Sequence, residues 1–453
     1  MVDVLIVGGG IAGLTTAYEL TKRGVAFSLL EASPRLGGVI LSEQVEGLTI
    51  DAGPDALLIQ KPDGIALCRE LGLGDRLVAT KPPRLAYIQR GGRLHPLPAA
   101  SVLGIPTRIG PFLRTGLFTW AGKLRMGAEL FVPARRDDGD ESIGAFMTRR
   151  FGTEARDYLA EPLLAGIHAG DVDRLSLGAL FPRFVAAERE HGSLIRAFRR
   201  HRAAPSSEGA FKSLPGGLSE IVAALVPRLA SGSACTDTPV TSIRREADAF
   251  AVETPRGVRR ARAVVLSAPA HAAASMTGPL DRPLADLCRE VPYTSIATVA
   301  LAFPLSAIRH PLDGSGYVVP RVERSPILAA TWLSSKWPGR APEGTALLRT
   351  FIGGTRHPDA VDETDDQLVA RSLDAIRPVL GITGPPSFAR AYRFRRASAQ
   401  HEVGHLERMK QIEARLATHP GLFVTGSGFR GVGIPDCVAD ARATAGKVVT
   451  WLA

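Results

Sequence analysis

At 453 residues, 45% of them hydrophobic and with no long polar tract, the chain is too long for one ordinary core and too apolar for disorder, so two or three domains are expected. A formal net charge of +10 invites a nucleic-acid partner, but the cations are scattered and no helix-turn-helix, zinc or RNA-binding signature accompanies them; an anionic membrane or substrate matches better. No apolar stretch approaches the ~20 residues of a spanning helix, and Cys68, Cys235, Cys288 and Cys437 lack metal-ligand spacing or a CxxC pair, so they are read as reduced and structural, with no metal site.

The first strand begins at residue 2, leaving no basic segment ahead of an apolar core, so no leader peptide is expected and a cytoplasmic location follows as the default. Val4-Leu5-Ile6-Val7 suits a buried parallel strand, and Ile11 to Leu20 reads as the helix after it. Between them, Gly8 permits a sharp turn, Gly10 lets backbone approach a pyrophosphate, and Gly13 lets the helix pack close to the strand. The helix N-terminus then faces the phosphates with unpaired N–H groups. Phe27 to Leu30 reads as the second strand, ending at Glu31, a carboxylate placed for a ribose diol. A bare GxGxxG is weak, but strand, helix, strand and acid at this spacing form a dinucleotide fingerprint. Gly37-Gly38, preceded by Arg35, reads as a second backbone segment over the pyrophosphate with Arg35 supplying charge, which favours FAD over NAD; a simple turn between strands is the plainer reading.

From about Pro96 to His201 the pattern is mainly helical, broken at Pro111, Pro133 and the charged loop Arg135 to Glu141. Within it, Val102 to Val132 interleaves Phe112, Leu113, Leu117, Phe118, Trp120, Leu124, Met126, Leu130 and Phe131 with Arg108, Arg114, Lys123 and Arg125. That pattern fits a helix resting on anionic lipid, and equally an amphipathic core helix. Arg199 to Arg202 and the polar run after it read as a linker. Three β-branched runs, Thr238 to Ile243, Phe250 to Thr254 and Ala263 to Pro269, predict a small sheet returning the chain to the cofactor, with Val240 near the adenine. Strand-like runs at Ser295 to Phe303, Gly316 to Pro320 and Ala346 to Ile352 predict a substrate-side sheet. Leu422-Phe423-Val424, the turn with Gly426 and Gly428, and a helix starting near Gly431-Val432-Gly433-Ile434 form another anion-stabilising end, placed by sequence order at the reactive ring.

Along its full length the chain resembles the oxygen-dependent protoporphyrinogen and coproporphyrinogen oxidases of the flavin amine oxidase superfamily. Glu161-Pro162-Leu163-Leu164-Ala165-Gly166-Ile167-His168-Ala169-Gly170-Asp171, then Leu175-Ser176-Leu177, carry the likeness, with Asp51-Ala52-Gly53-Pro54-Asp55, His95 to Pro98, Gly104 to Thr107 and the Gly431 to Cys437 ending. The resemblance implies an α/β fold in which a Rossmann-like FAD-binding domain is assembled from residues 1–60, 205–285 and 391–453. A mixed-sheet substrate domain (61–95 and 286–390) and a helical membrane-associating domain (96–204) are inserted into it. It implies six-electron oxidation of a porphyrinogen to a porphyrin in haem biosynthesis, with O2 as acceptor and H2O2 as product, and peripheral contact with the inner face of the cell membrane. It also implies cofactor contacts at Gly53, Pro54, Gly426, Val432, Gly433 and Ile434, and substrate contacts at Lys61, Gly166, Ile167 and Trp337.

No acid–base pair is predicted, because a methylene bridge between pyrroles is itself a good hydride donor; His168, where relatives often carry Tyr, is given no catalytic role. Asp55 differs from some protoporphyrinogen oxidases, which have arginine after Gly-Pro, and is similar to the coproporphyrinogen-type branch; the chain departs from the family at Phe394 and Ala399-Gln400-His401, where tryptophan and Pro-x-Tyr are usual. Two other readings share the architecture: an amine oxidase or carotenoid desaturase, and a flavin-free binding module like the prenyl-GTPase dissociation inhibitors.

Overall fold

The computed structural model describes residues 2–97, 101–102, 105–106, 109–200 and 209–453. Pro98, Gly104, Thr107, Arg108 and the centre of the predicted linker, residues 201–208, lie outside them.

Val2–Val7 is the middle of a seven-stranded sheet, lying parallel between Phe27–Leu30 and Gly257–Leu266. Its Val4, Leu5 and Ile6 are at most 1% exposed, as a run buried on both faces requires. Burying each such side chain contributes roughly 1.5–3 kcal/mol. Gly257–Leu266 is shared: its end pairs in parallel with Leu422–Val424, and its first half pairs antiparallel with Ala249–Thr254, which pairs in turn with Ser242–Glu246. The sheet therefore joins strands from the start, middle and end of the chain. The predicted strand over Thr238 to Ile243 starts only at Ser242. Pro239 has no N–H for a ladder, and Thr238 N donates to Glu31 O (2.8 Å) instead.

A second seven-stranded sheet runs Phe388–Ala399, Tyr293–Pro304, Thr345–Gly353, Ala329–Trp332, Gly316–Val318, Tyr87–Arg90 and Arg93–Pro96. Only the Gly316–Val318 to Tyr87–Arg90 pairing is parallel, so this sheet is mixed. One face packs on the helix Asp365–Leu380 through Leu368, Ile376 and Leu380. That helix starts on a reciprocal cap, with Thr364 Oγ1 accepting from Gln367 N and Gln367 Oε1 from Thr364 N.

Residues 109–200 are helical, around a core that includes Phe146, Phe151, Leu159, Phe184 and Leu194. The expectation of helices from Pro96 needs two corrections. Pro96 ends an edge strand, and Ser101–Val102 pairs with Ile105–Pro106 in a short hairpin. Small strands at Leu57–Leu58, Val78–Ala79 and Phe211–Ser213 form a further sheet that the sequence does not announce, since two or three residues carry no periodicity.

Candidate functional site

The glycine turn lies at the C-terminal end of Val2–Val7 and opens the helix Ile11–Lys22. Gly8 has φ +110°, closed to most side chains. A Cβ on Gly13 would sit 1.9 Å from Gly8 O, so only glycine lets helix and strand come this close. A Cβ on Gly10 would meet nothing within 4 Å. The open space lies where the turn meets the helix N-terminus, a cradle shaped for a phosphate group. Ser267 Oγ lies within hydrogen-bonding reach of Val7 O (2.9 Å) and Gly8 O (2.8 Å) and closes the far side of the turn.

Glu31 reaches the same turn. Its Oε2 accepts from Gly9 N (2.6 Å), and its Oε1 accepts from Ser33 N (2.8 Å) and Ser33 Oγ (2.7 Å). Thr238 N donates to Glu31 O and Asp237 N to Ser33 O (3.1 Å), which brings the segment carrying Val240 beside the acid. Gly37 N donates to Gly9 O (2.8 Å), so the second glycine pair lies against the first turn, with Gly38 at φ +59°. Arg35 lies at the same loop. Its guanidinium donates to Gly38 O (2.5 Å) and Ile40 O (3.1 Å), because carbonyls turned inward by the glycine loop are the nearest acceptors; it braces the loop.

The Asp51 to Asp55 loop is held from the second sheet. Arg349, 1% exposed, donates to the carbonyls of Asp51 and Gly53 and pairs with Asp55 (3.1 Å). Lys336 pairs with the same carboxylate at 2.6 Å, and Trp337 Nε1 donates to it at 2.9 Å. Burial pushes the Asp55 carboxyl up, but the charges of Lys336 and Arg349 outweigh it and hold the group well below the usual carboxylate range. Asp51 pairs with the equally buried Arg340 at 2.8 Å, yet burial dominates and leaves its carboxyl above the ordinary value. Asp55 is thus a fully engaged structural charge. Trp337 needs correction as a substrate contact: it is 0% exposed, packed with Leu48, Leu333 and Leu347, and its ring offers no free face. A Cβ on Gly53 would lie 2.0 Å from Val39 O and 3.6 Å from the Phe394 ring, which sets Phe394 beside this loop.

At the other end, Gly426 packs against Ala12 of the first helix, and Gly426 N donates to Asp440 Oδ2 (3.0 Å). The helix Ile434–Leu452 follows, with Asp436 accepting from Gly433 N (3.2 Å). Lys61 Nζ lies 2.6 Å from Asp436 Oδ2, which brings it to this helix end while its side chain stays about half exposed. Gly166 and Ile167 lie in the helix Glu161–His168. That helix is anchored by Glu161, which accepts from Arg356 (2.8 Å) and from Arg321 N (2.8 Å).

His168 is buried, and Lys61 and Asp436 are the charges that bear on it. Burial first, then Lys61, hold its imidazole down at about 4 against the pull of Asp436. Burial and the neighbouring His405 push His401 down to about 3. An unfolded imidazole titrates near 6.5, so between that value and the native ones only the unfolded chain takes up these protons, and stability falls as pH falls. We expect the urea midpoint to drop from pH 6.5 towards pH 4.5, at up to about 1.4 kcal/mol per pH unit per ring. His168→Asn should remove one ring's share of that slope; an unchanged slope would contradict this assignment.

Sequence reasoning missed Arg349 and Arg340. A lone arginine inside the apolar strand Thr345–Gly353 was the available signal, since a charge there demands a buried partner. The stacked pair His401–His405 was also missed.

A family model described as flavin containing amine oxidoreductase matches residues 11–449. Coproporphyrinogen III oxidase from Bacillus subtilis (strain 168) is 36% identical over 99% of this chain and 98% of its own length. The enzyme of that name from Staphylococcus aureus is 33% identical over 99% of both chains. A crystal structure of a putative protoporphyrinogen oxidase from Exiguobacterium sp. 255-15 superposes with a TM-score of 0.88 at 33% identity, covering 98% of each chain. Cyclohexylamine oxidase from Brevibacterium oxydans IH-35A, at a TM-score of 0.72 and 16% identity over 99% of each chain, shares the fold. With a family model spanning nearly its whole length and a relative 36% identical over 99% of it, this chain belongs to the flavin-containing amine oxidoreductases and, among them, to the coproporphyrinogen III oxidase family.

Proposed function

We propose that this protein is an FAD-dependent oxidase that converts coproporphyrinogen III to coproporphyrin III in haem biosynthesis. The observation that carries the reading is the full-length likeness to coproporphyrinogen III oxidases at 33–36% identity, against 28% to the chloroplast protoporphyrinogen oxidase 1 of spinach. The cofactor domain is assigned to residues 1–60, 205–285 and 391–453, the substrate domain to 61–95 and 286–390, and the helical domain to 96–204. FAD, held by Gly8, Gly10, Gly13, Glu31, Gly37, Gly38, Gly53, Pro54, Val240, Gly426, Val432, Gly433 and Ile434, supplies the hydride acceptor.

The chain's task is then to bind, orient and exclude water. Six hydrogens leave the macrocycle in three two-electron steps, and three O2 become three H2O2. His168, buried and held at about 4, is too weak a base to be needed for the pyrrole N–H protons, which leave to solvent. Lys61, beside the N-terminal end of the helix Ile434–Leu452, is the proposed anchor for a substrate carboxylate, with Gly166 and Ile167 of the helix Glu161–His168 as further contacts.

The test is anaerobic reduction of the bound flavin by coproporphyrinogen III and, separately, by protoporphyrinogen IX, followed at the oxidised-flavin absorbance. We expect faster bleaching by coproporphyrinogen III. Bleaching by neither would sink the porphyrinogen reading and promote an amine oxidase or desaturase.

We further propose that the helical region rests peripherally on an anionic membrane. Trp120, Leu124 and Phe131 are 68%, 75% and 84% exposed. The first two are four residues apart on one helix face, and Lys123 lies over the Trp120 ring at 4.5 Å. No helix among the described residues is long and apolar enough to cross a membrane. Flotation with phosphatidylglycerol vesicles should show binding that drops at least tenfold when all three residues become serine, with the melting temperature unchanged. Equal flotation of both proteins would refute the assignment.

A further inference from the structure

Two histidines outside the predicted site meet face to face next to it. The rings of His401 and His405 stack with centroids 3.8 Å apart and planes 9° from parallel. They are 2% and 1% exposed. His401 Nε2 lies 2.9 Å from Ser427 O, and His405 Nε2 lies 2.9 Å from Phe429 O. A carbonyl only accepts, so each Nε2 carries the hydrogen, and burial, which lowers both imidazoles, keeps the rings neutral. No partner for His405 Nδ1 occurs among the described residues, as expected of a ring that keeps that nitrogen unprotonated.

The two carbonyls belong to the turn between the strand Leu422–Val424 and the helix Ile434–Leu452. Gly426 of the same turn packs on the glycine-turn helix at Ala12. The histidines are in turn tied to the signature segment. Ser176 N donates to His401 O (2.9 Å), Val403 N donates to Arg174 O (2.8 Å), and Arg174 pairs with Glu402 at 2.8 Å. Gln400 Nε2 donates to His168 O at 2.8 Å. The stack therefore bridges the substrate-side signature and the cofactor-side turn.

We infer that the stacked pair His401–His405 acts as a positioning device that fixes the Ser427–Phe429 turn against bound FAD. The inference rests on the reading above that residues 426–434 face the flavin. Holding two carbonyls two residues apart fixes the peptide planes between them, since each peptide is rigid. Two neutral donors do so without adding charge near the helix N-terminus, so the field there stays that of the helix. The donated hydrogens do the holding: removing one donor leaves a buried carbonyl unpaired and loosens the turn.

The test compares His401→Phe, which keeps a flat ring but has no donor, with His401→Gln and His405→Gln, whose amide nitrogen can reach the same carbonyl. FAD-loaded protein is followed by the rate of FAD release, the visible circular dichroism of the flavin and its two-electron midpoint potential. His401→Phe should release FAD at least tenfold faster with an altered dichroism band and a shifted potential, while both glutamine variants stay within threefold of the wild type. A phenylalanine variant matching the wild type in all three readouts overturns the inference. Should that variant fail to fold, the glutamine variants decide: folded protein with wild-type dichroism and release supports the device, and folded protein that loses FAD overturns it. The functional reading fails separately, by wild-type flavin that neither porphyrinogen bleaches, which leaves these release rates and spectra free to decide the role of the stack.

Discussion

Gly13→Ala should yield protein that purifies without flavin and unfolds earlier. The added Cβ would lie 1.9 Å from Gly8 O and 2.6 Å from Ser267 Oγ. The first neighbour is backbone in the turn that builds the phosphate cradle, so no rotamer change relieves the clash; helix and strand must part. Overpacking of this kind costs about 1–3 kcal/mol in ordinary cores and more where backbone must move. Gly10→Ala supplies the contrast. Its Cβ meets nothing, so the apoprotein should melt as the wild type does, yet bind FAD at least tenfold more weakly because the methyl group occupies the cradle. Flavin absorbance per mole of protein, FAD titration of apoprotein and thermal unfolding distinguish the two. Retention of FAD by both variants would show that the pyrophosphate does not lie at this turn.

The second large effect is expected from Arg349→Met. This buried side chain holds the carbonyls of Asp51 and Gly53 and pairs with Asp55, whose side chain is only 12% exposed. Removing it strips two carbonyls of their donor and leaves Asp55 with Lys336 and the Trp337 N–H alone. Breaking a buried pair on one side typically costs about 3–5 kcal/mol, because the surviving charge stays out of water. Asp55→Asn in the same background should recover 1 kcal/mol or more of that loss, since a neutral amide needs less compensation. Urea unfolding of the two single variants and the double variant measures the coupling. A loss below about 1 kcal/mol for Arg349→Met, or strict additivity, would contradict the buried-cluster account.

What was legible in the sequence was mostly local. Gly8, Gly10, Gly13 and Glu31 are readable because a turn, a helix start and a strand end obey short-range spacing, and the runs Tyr293–Pro304 and Thr345–Gly353 declare themselves by β-branched and apolar content. The pairing of Asp55 with Arg349 was not legible: its partners are 294 residues apart, and no periodicity spans that distance. The burial of Trp337 was not legible for the same reason, since Leu48, which it packs with, and Asp55, which accepts from its indole N–H, come from another part of the chain. The hydrogen bonds of Arg35 to Gly38 O and Ile40 O were not legible either, because spacing gives no hint of which carbonyls a glycine loop turns inward. The histidine stack required knowing that residues 401 and 427 meet, which only the folded chain reveals.

The strand Gly257–Leu266, shared between Val2–Val7 on one side and Leu422–Val424 on the other, bears on how the protein is made. During synthesis the glycine turn leaves the ribosome early, but the strand that flanks it and the arginine that props the Asp51 loop follow hundreds of residues later. The sheet around the cradle is therefore unfinished until Leu422–Val424 has been made. Cofactor capture then waits on that strand, and a chain truncated before Leu422 should purify colourless.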